Sequence, residues 1–360
     1  MRRRSFIKAS GAVGTGLVIA GCTGDGNGDG NGTDDGNGTG NGNGNGNGDD
    51  TGNDDLEMPD TIRIGTPSPD APTWEMSSHP GLQYALEDRG HDTDLTREQF
   101  TGFTGMAAAF VSDEADMGYM GLSSLINAIE EGFPLVGFAG YINEYVFPVV
   151  VSSDIDGWED LRGGDVAIHD PDSISTPSAQ ITIREELGSI DDVNYRSILG
   201  TTNRLSALEA GEVDGAAVFD SGAYQAEAEG YGQVLSHPTE YDVLNQQTVA
   251  LWVTLEENLE ENPEVYGEIA DCLRQGHGEL YERDGDEVLD DALASGIYPD
   301  FDRENHQQSF EIIREAELWP DGIDITEEEL ERSLDVLEAT GLIDEDRRLS
   351  RDEVFDDRFV

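Results

Sequence analysis

Lysine is almost missing from this chain of 360 residues. The single lysine, Lys8, lies near the amino terminus, and from Cys22 onward 16 arginines face 77 aspartates and glutamates, a formal charge of −61. Such a surface repels itself unless counterions screen it within about 3 Å, as they do in roughly molar salt. We therefore interpret the acidity as the adaptation of an extreme halophile, and the lack of a basic patch argues against a nucleic-acid partner.

Cysteine and histidine are also sparse. Beyond Cys22 only Cys272 remains, which excludes a disulfide and a cysteine metal site. The six histidines are scattered and show no metal-ligand spacing such as H-E-x-x-H, and no G-x-S-x-G segment marks a serine nucleophile. We expect neither a metal nor a cofactor.

The apolar run from Ala12 to Ala20 is too short to span a bilayer and has the flanks of an export signal. Arg3 and Arg4 belong to a segment similar to a twin-arginine signal, and the IAGC sequence that ends at Cys22 resembles a lipobox. We predict a lipoprotein signal peptide over residues 1–22, with a lipid on Cys22 that anchors the protein to the outer face of the cytoplasmic membrane.

Residues 23–55 consist of Gly, Asn, Asp and Thr alone, and the first apolar residue after them is Leu56. A segment of this composition cannot bury enough surface to offset its chain entropy. We predict a disordered tether over residues 23–58, whose root-mean-square reach is roughly 30 Å.

From Pro59 onward, short apolar runs alternate with helical patterns, which predicts an α/β fold of mostly parallel sheets flanked by helices. The predicted strands are 61–65, 92–97, 116–120, 135–139, 165–169, 193–198 and 215–219. The predicted helices are 77–89, 106–111, 123–131, 177–187, 204–210, 263–283, 287–294, 303–317 and 327–340.

Two segments 98 residues apart share one pattern: AFVSDEADMGYMG at 109–121 and ALEAGEVDGAAVF at 207–219. The repeat predicts two lobes that are built alike, and we expect local roles at strand starts for its aspartates, Asp116 and Asp214. Because ligands of such sheets bind beyond the carboxyl ends of the strands, the strand ends of the two lobes should face each other across a cleft.

Two extended segments, 146–151 and 247–254, fit strands that cross between the lobes, so hinge closure is the expected motion. The predicted organisation is lobe 1 over 59–146 plus 247–345, lobe 2 over 147–246, and an acidic tail over 346–360. We expect the tail to dock weakly or to fray.

From about Thr61 to Gly341 the chain resembles the solute-binding proteins of ATP-driven importers for nitrate, taurine, aliphatic sulfonates and thiamine precursors. The resemblance rests on the two repeated segments and on AIEEGFPL at 128–135, WEDLRG at 158–163 and ENPE at 261–264. It implies a two-lobed type II periplasmic-binding fold with two crossing hinge strands. It also implies a monomeric, membrane-anchored receptor that captures a small organic solute and delivers it to an ABC permease and its ATPase.

Four segments should converge on the cleft: 66–78, 121–124, 170–178 and 219–224. The ligand-binding candidates within them are Thr66, Trp74, Ser123, Ser124, Ser175, Thr176, Asp220 and Tyr224. Thr176 followed by Pro177 predicts a helix cap whose free N–H groups can hold an anion or a polar ligand edge, although capping alone also explains Thr176. Trp74 offers either a stacking surface or ordinary packing.

Charge in these segments bears on the ligand. None of the four contains arginine, whereas five acidic residues lie in them: Asp70, Glu75, Asp170, Asp172 and Asp220. We therefore expect a neutral or nitrogen-containing ring rather than nitrate, with a sulfonate held by N–H and hydroxyl groups as the alternative. At the strand end, His169 is expected to make a loop hydrogen bond.

Other functions stay open at this point. A receptor for an ion-gradient transporter, or a ligand-sensing surface lipoprotein, would have a similar sequence; neighbouring permease and ATPase genes would favour ABC import. A thiamine-pyrimidine synthase, similar in fold, is a remote alternative, because that enzyme class holds its cofactor aldehyde on a lysine and no lysine follows Lys8.

Overall fold

The computed structural model describes residues 56–67, 73–100, 102–171, 173–298 and 303–360. The predicted signal peptide (1–22), the lipidation at Cys22 and the tether up to residue 55 lie outside these residues. Within the described part of the chain, no helix has both the length and the apolar character needed to cross a bilayer.

The described residues form two five-stranded sheets. Sheet A has the order β2-β1-β3-β10-β4 and sheet B the order β7-β6-β8-β5-β9, so the two orders correspond position by position. The first three strands of each sheet are parallel, and the fourth runs antiparallel to both its neighbours. The strands are β1 (Thr61–Thr66), β2 (Asp94–Gln99), β3 (Met117–Gly121), β4 (Leu135–Ile142), β5 (Val149–Ser152), β6 (Asp165–Ile168), β7 (Asn194–Ser197), β8 (Gly215–Ala217), β9 (Gly232–Val234) and β10 (Ala250–Leu255).

Helices flank both sheets, which confirms the predicted two-lobed α/β fold. Most predicted boundaries lie within a few residues of the observed ones. In the described residues the α-helices are α1 (Gln83–Asp88), α2 (Gly102–Val111), α3 (Leu122–Glu131), α4 (Ser175–Leu187), α5 (Thr201–Glu209), α6 (Asp220–Glu229), α7 (Glu256–Glu261), α8 (Pro263–Glu282), α9 (Gly285–Ser295), α10 (Arg303–Glu315), α11 (Glu327–Ala339) and α12 (Arg351–Val354). Two short turns of 3-10 and π-helix, Thr73–Ser77 and Ser78–Leu82, lead into α1.

Burial on both faces explains the apolar strands. Every residue of β4 (LVGFAGYI) is buried, as are the first five residues of β10 (ALWVTL). In β5, Val149 and Val151 pack into a cluster on one face of sheet B, while Val150 packs into a second cluster on the other face. Continuous apolar strands of this kind are expected where helices cover both sides of a sheet.

The repeated aspartates have the same structural role in the two lobes. Asp116 Oδ2 accepts a hydrogen bond from the backbone N–H of Arg63 at 2.7 Å, and Asp214 Oδ2 accepts one from the backbone N–H of Asp165 at 2.8 Å. Each carboxylate therefore lies just before one strand of the repeat and binds a neighbouring strand near its start. The predicted local role of both residues is confirmed.

The two connections between the lobes are bonded to each other. The backbone N–H of Gln247 donates to the carbonyl of Asn143 at 2.7 Å, and that of Gln246 donates to Glu144 Oε1 at 2.8 Å. Glu144 is 7% exposed, and its buried Oε2 has no hydrogen-bond partner among the described residues. One backbone hydrogen bond and one buried carboxylate thus join the segment that leads into lobe 2 to the segment that leads back to lobe 1.

The carboxyl-terminal segment differs from the expected weak docking. Val354 and Phe355 are buried, and Phe355 forms a parallel bridge with Gly137 of β4. Arg351 adds ion pairs with Asp324 at 2.5 Å and Asp357 at 3.0 Å. Two apolar side chains within a charged sequence are enough to bind this segment to the edge of sheet A.

We expect the stability of the fold to depend on the ionisation of Glu144. Burial raises the pKa of Glu144 to about 7, against smaller opposing effects of the Gln246 N–H and Arg332; Glu317 and Glu329 also raise it. Because its pKa in the unfolded chain is about 4.3, the folded state holds an extra proton between these values. This contribution to stability is fully present below about pH 4 and is lost as the pH rises through about 7.

The substitution Glu144→Gln keeps the side chain neutral at every pH. Relative to this variant, the free energy of unfolding of the wild type should fall by up to about 3 kcal/mol between pH 4 and pH 8. Denaturant titrations in molar salt measure this difference, with the exposed Glu311→Gln as control. Parallel pH profiles for wild type and E144Q would contradict the assignment.

Candidate functional site

A small cavity lies between the lobes at the carboxyl ends of the strands, with a volume of about 40 Å³. This volume holds roughly three water molecules, so a larger solute requires the lobes to separate. Close to the cavity the lobes touch: a Cβ atom on Gly121 of lobe 1 would collide with Ile174 of lobe 2. The described conformation is therefore a closed one.

Aromatic rings from both lobes form one wall of the cavity. Trp74 precedes α1, Phe147 lies on the first connection between the lobes, and Phe219 follows β8. The ring centroid of Trp74 lies 5.0 Å from that of Tyr119, 5.9 Å from Phe147 and 5.8 Å from Phe219. The tilted and edge-on arrangement offers ring faces and edges to a flat solute.

The backbone of Trp74 is held in place, whereas its indole N–H is not engaged. Its carbonyl accepts hydrogen bonds from Tyr141 Oη at 3.2 Å and from Trp319 Nε1 at 3.1 Å. Trp74 itself is 4% exposed, and its buried Nε1 has no hydrogen-bond partner among the described residues. A buried unpaired donor costs about 1–3 kcal/mol, which an acceptor atom on a bound solute would recover.

Glu75 does not bring an unbalanced charge to the cleft. It is 1% exposed, and Arg97 of β2 binds both its oxygens, from Nε at 2.9 Å and from Nη2 at 3.2 Å. The hydroxyl of Tyr119 also donates to Glu75 Oε1. Burial, with the Glu75 charge second, raises the pKa of Tyr119 well above its usual value, so the phenol stays protonated.

Arg204 forms the polar wall, although none of the four segments predicted to converge on the cleft contains an arginine. Arg204 is 2% exposed, and its guanidinium donates to the carbonyls of Ala217 at 2.7 Å and Ile198 at 3.0 Å. The predicted helix began at this residue, but α5 begins three residues earlier, after a turn at Gly200 (φ 82°). Arg204 therefore lies in the first turn and reaches back to the strand ends.

His169 lies beside Arg204 on the same wall. Its Nδ1 accepts from the Gly200 N–H at 3.4 Å, which confirms the expected loop hydrogen bond, and lies 3.2 Å from Arg204 Nη1. Because both neighbours are donors, the ring proton belongs on Nε2. His169 Nε2 lies 3.5 Å from Asp170 Oδ2, so the imidazole stands between the guanidinium of Arg204 and a carboxylate.

Two hydroxyls lie at the start of α4, one on Ser175 and one on Ser173 in the preceding loop. Ser173 Oγ and Ser175 Oγ lie 2.9 Å apart, and both residues line the cavity. The prediction that Thr176 caps this helix was wrong, because α4 begins at Ser175 and Thr176 Oγ1 donates to the carbonyl of Asp170 at 2.6 Å. The hydroxyl of Thr176 ties the preceding loop to the helix.

The structure brings together only some of the predicted ligand residues. Trp74 and Ser175 line the cavity, while Ser124 lines an adjoining cavity of about 220 Å³ that shares Phe103 with it. Asp220 Oδ1 lies 2.8 Å from His237 Nε2, and burial raises the pKa of Asp220 above its usual value. The buried candidates that line neither cavity are Thr66, Ser123, Thr176 and Asp220; half-buried Tyr224 on α6 lines neither as well. Asp70 and Asp172 lie outside the described residues.

Two further observations bear on the choice of site. A larger cavity, of about 510 Å³, lies among Met58, Thr61 and Asn262, at the amino end of β1. We favour the smaller one because both lobes line it and because ligands of such sheets bind at carboxyl ends. In the described residues, no group of His, Cys, Asp and Glu is arranged to hold a metal ion.

Solved structures with this fold include several ligand-binding proteins. The alkanesulfonate-binding protein SsuA of Xanthomonas axonopodis pv. citri, bound to MOPS, has a TM-score of 0.64 at 18% identity over 83% of this chain and 99% of that chain. The ligand-binding component of an ABC-type import system from Staphylococcus aureus, with zinc bound, has a TM-score of 0.69 at 14% identity, over 84% of this chain and 98% of that chain. The aliphatic sulphonate-binding protein SsuA of Escherichia coli has a TM-score of 0.61 at 18% identity, over 84% of this chain and 94% of that chain. At these identities the likeness establishes the fold alone.

Sequence comparison gives the family. No curated protein sequence matches the chain. The family model described as NMT1/THI5 like matches residues 94–284, from the start of β2 to just beyond α8. Since this match covers more than half of the 360 residues, the chain belongs to the NMT1/THI5-like family.

Proposed function

We propose that the protein is an extracytoplasmic solute-binding receptor that captures a small organic anion and delivers it to an ABC importer. The observation that carries this proposal is the buried, unpaired indole N–H of Trp74, in a cavity wall formed by both lobes. A donor of this kind is satisfied only when an acceptor enters, so closure and solute binding are coupled.

The two walls define the class of solute. Trp74, Phe147 and Phe219 favour a flat or ring-shaped apolar part. The other wall carries the positive charge of Arg204 and the hydroxyls of Ser173 and Ser175, which favour an anionic group such as a sulfonate or a carboxylate. The N–H groups of Arg204 themselves bind Ala217, Ile198, Thr201 and His169. We therefore replace the neutral ring expected from the sequence by a ring-bearing organic anion.

The fold neighbours support the transport role. The Staphylococcus aureus protein is the ligand-binding component of an ABC-type import system, and both SsuA proteins are sulfonate-binding proteins. By analogy, we propose an ABC permease and its ATPase as partners of this chain, and a monomeric receptor held at the outer face of the cytoplasmic membrane by a lipid on Cys22. An enzyme related to thiamine-pyrimidine synthesis is disfavoured, because the chain after Lys8 offers no lysine for a Schiff base.

Solute binding is tested first with protein purified in molar salt. Mass spectrometry of small molecules released on denaturation should identify a ring-bearing anion, and calorimetry should detect binding of MOPS. The substitution Trp74→Phe keeps a ring but removes the N–H donor, so it should weaken the affinity roughly tenfold.

Trp158→Phe is the matched control, since Trp158 packs beside the separate apolar cluster of lobe 2. It should leave the affinity unchanged. A protein that releases no solute and binds no organic anion would contradict the proposal, as would equal affinities of the two variants.

Arg204 should contribute both to the fold and to anion binding. In Arg204→Met the carbonyl of Ala217, which is fully buried, loses its donor, so the free energy of unfolding should fall by about 2–3 kcal/mol and MOPS binding should be lost. The control Arg196→Met removes a guanidinium that pairs with Asp165 on the surface, and it should cost less than about 1 kcal/mol. Equal losses in denaturant titrations would rule out the assigned role of Arg204.

The lipid anchor is tested with Cys22→Ser in the native host. The wild type should fractionate with membranes, and mass spectrometry should find a lipidated Cys22 at its amino terminus. Without the cysteine sulfur, the variant should appear in the soluble extracytoplasmic fraction. Membrane association that survives the substitution would exclude Cys22 as the anchor.

A further inference from the structure

We propose that the buried Glu75–Arg97 ion pair is the positioning element of the solute site and presents the ring of Tyr119, rather than its hydroxyl, to the solute. The inference rests on the proposed function, because it assigns a role within the same cavity. Glu75 and Arg97 are outside the set of residues that line the cavity. They act through Tyr119 and Trp74, which do line it.

The first step of the argument is the direction of the Tyr119 hydroxyl. This hydroxyl is committed to Glu75 Oε1, and Tyr119 is 2% exposed. The hydrogen bond from a protonated phenol to a carboxylate is strong and oriented. The solute therefore meets the ring of Tyr119 rather than its hydroxyl.

The second step leads from Tyr119 to Trp74. The Tyr119 ring packs edge-on against Trp74, with an interplanar angle of 61°, and stacks on Tyr141 at 4.7 Å and 20°. Tyr141 in turn donates to the Trp74 carbonyl at 3.2 Å. The position of one tyrosine ring thus fixes Trp74 both through its side chain and through its backbone.

The third step is the need for Arg97. A carboxylate that is 1% exposed stays ionised only beside a compensating charge, and Arg97 supplies it through two contacts, at 2.9 and 3.2 Å. Buried ion pairs are often replaceable by apolar residues without loss of stability. We therefore infer that the pair serves to position the aromatic wall rather than to stabilise the fold. In that wall the Trp74 Nε1–H is the donor that has no partner among the described residues.

The test separates positioning from stability. Protein labelled with 5-fluorotryptophan is compared by ¹⁹F NMR, and W74F identifies the Trp74 resonance. Three variants are needed: E75Q, the charge-free double variant E75L/R97M, and E268Q. The last is the matched control, because Glu268 forms a half-buried ion pair with Arg89 at 2.6 Å, outside the residues lining the cavity.

We expect E75Q and the double variant to move or split the Trp74 resonance and to weaken MOPS binding at least roughly fivefold. The double variant should do so although it unfolds at the same denaturant concentration as the wild type. E268Q should leave both readouts unchanged. If the double variant does not fold, the comparison of E75Q with E268Q decides.

A folded double variant, or a folded E75Q, with the wild-type Trp74 resonance and MOPS affinity would overturn the proposal. If the wild type binds neither MOPS nor any released solute, the receptor function fails instead. The resonance of Trp74 in the solute-free protein still decides the positioning role in that case, so the two failures are distinguishable.

Discussion

The lobes are joined by two chain segments that hydrogen-bond to each other, and the rest of the architecture follows from this constraint. Because the chain enters lobe 2 through β5 and returns through β10, each sheet accepts one strand that runs against its neighbours. The remaining strands keep a common direction, so their carboxyl ends open toward one gap. Both cavity walls, the aromatic one around Trp74 and the polar one around Arg204, come from the segments that follow these ends.

Much of this architecture could be predicted from the sequence. Period and length of the apolar runs indicate the strands and helices because burial on two faces leaves a distinct pattern. The strand-start roles of the repeated aspartates, Asp116 and Asp214, were predictable because each lies directly before a strand. The backbone N–H groups that they bind, those of Arg63 and Asp165, belong to neighbouring strands that are distant in sequence. Trp74 and Ser175 could be placed at the cleft because strand ends converge in this fold.

The remainder depends on partners distant in sequence. From the sequence, Glu75 brings an unbalanced charge to the cleft, because its partner Arg97 lies 22 residues later, on β2. Arg204 was missed because the segment that follows β7 was not among the four candidates, whereas a long guanidinium in the first turn of α5 reaches back to the strand ends. One available signal was that Arg204 shares a helix face with Leu205 and Leu208, where a buried arginine requires buried acceptors. Side-chain reach, in addition to segment position, decides which residues form the polar wall.

The place of β10 in sheet A has a consequence for synthesis on the ribosome. All strands of sheet B lie within residues 149–234, whereas sheet A lacks the strand between β3 and β4 until Leu255 has been made. Until then β3 and β4 carry unpaired edges that attract other strands. Sheet B, in the middle of the polypeptide, can therefore fold before sheet A, which contains the first strands. This reverses the usual order, in which the amino-terminal part of a growing chain folds first.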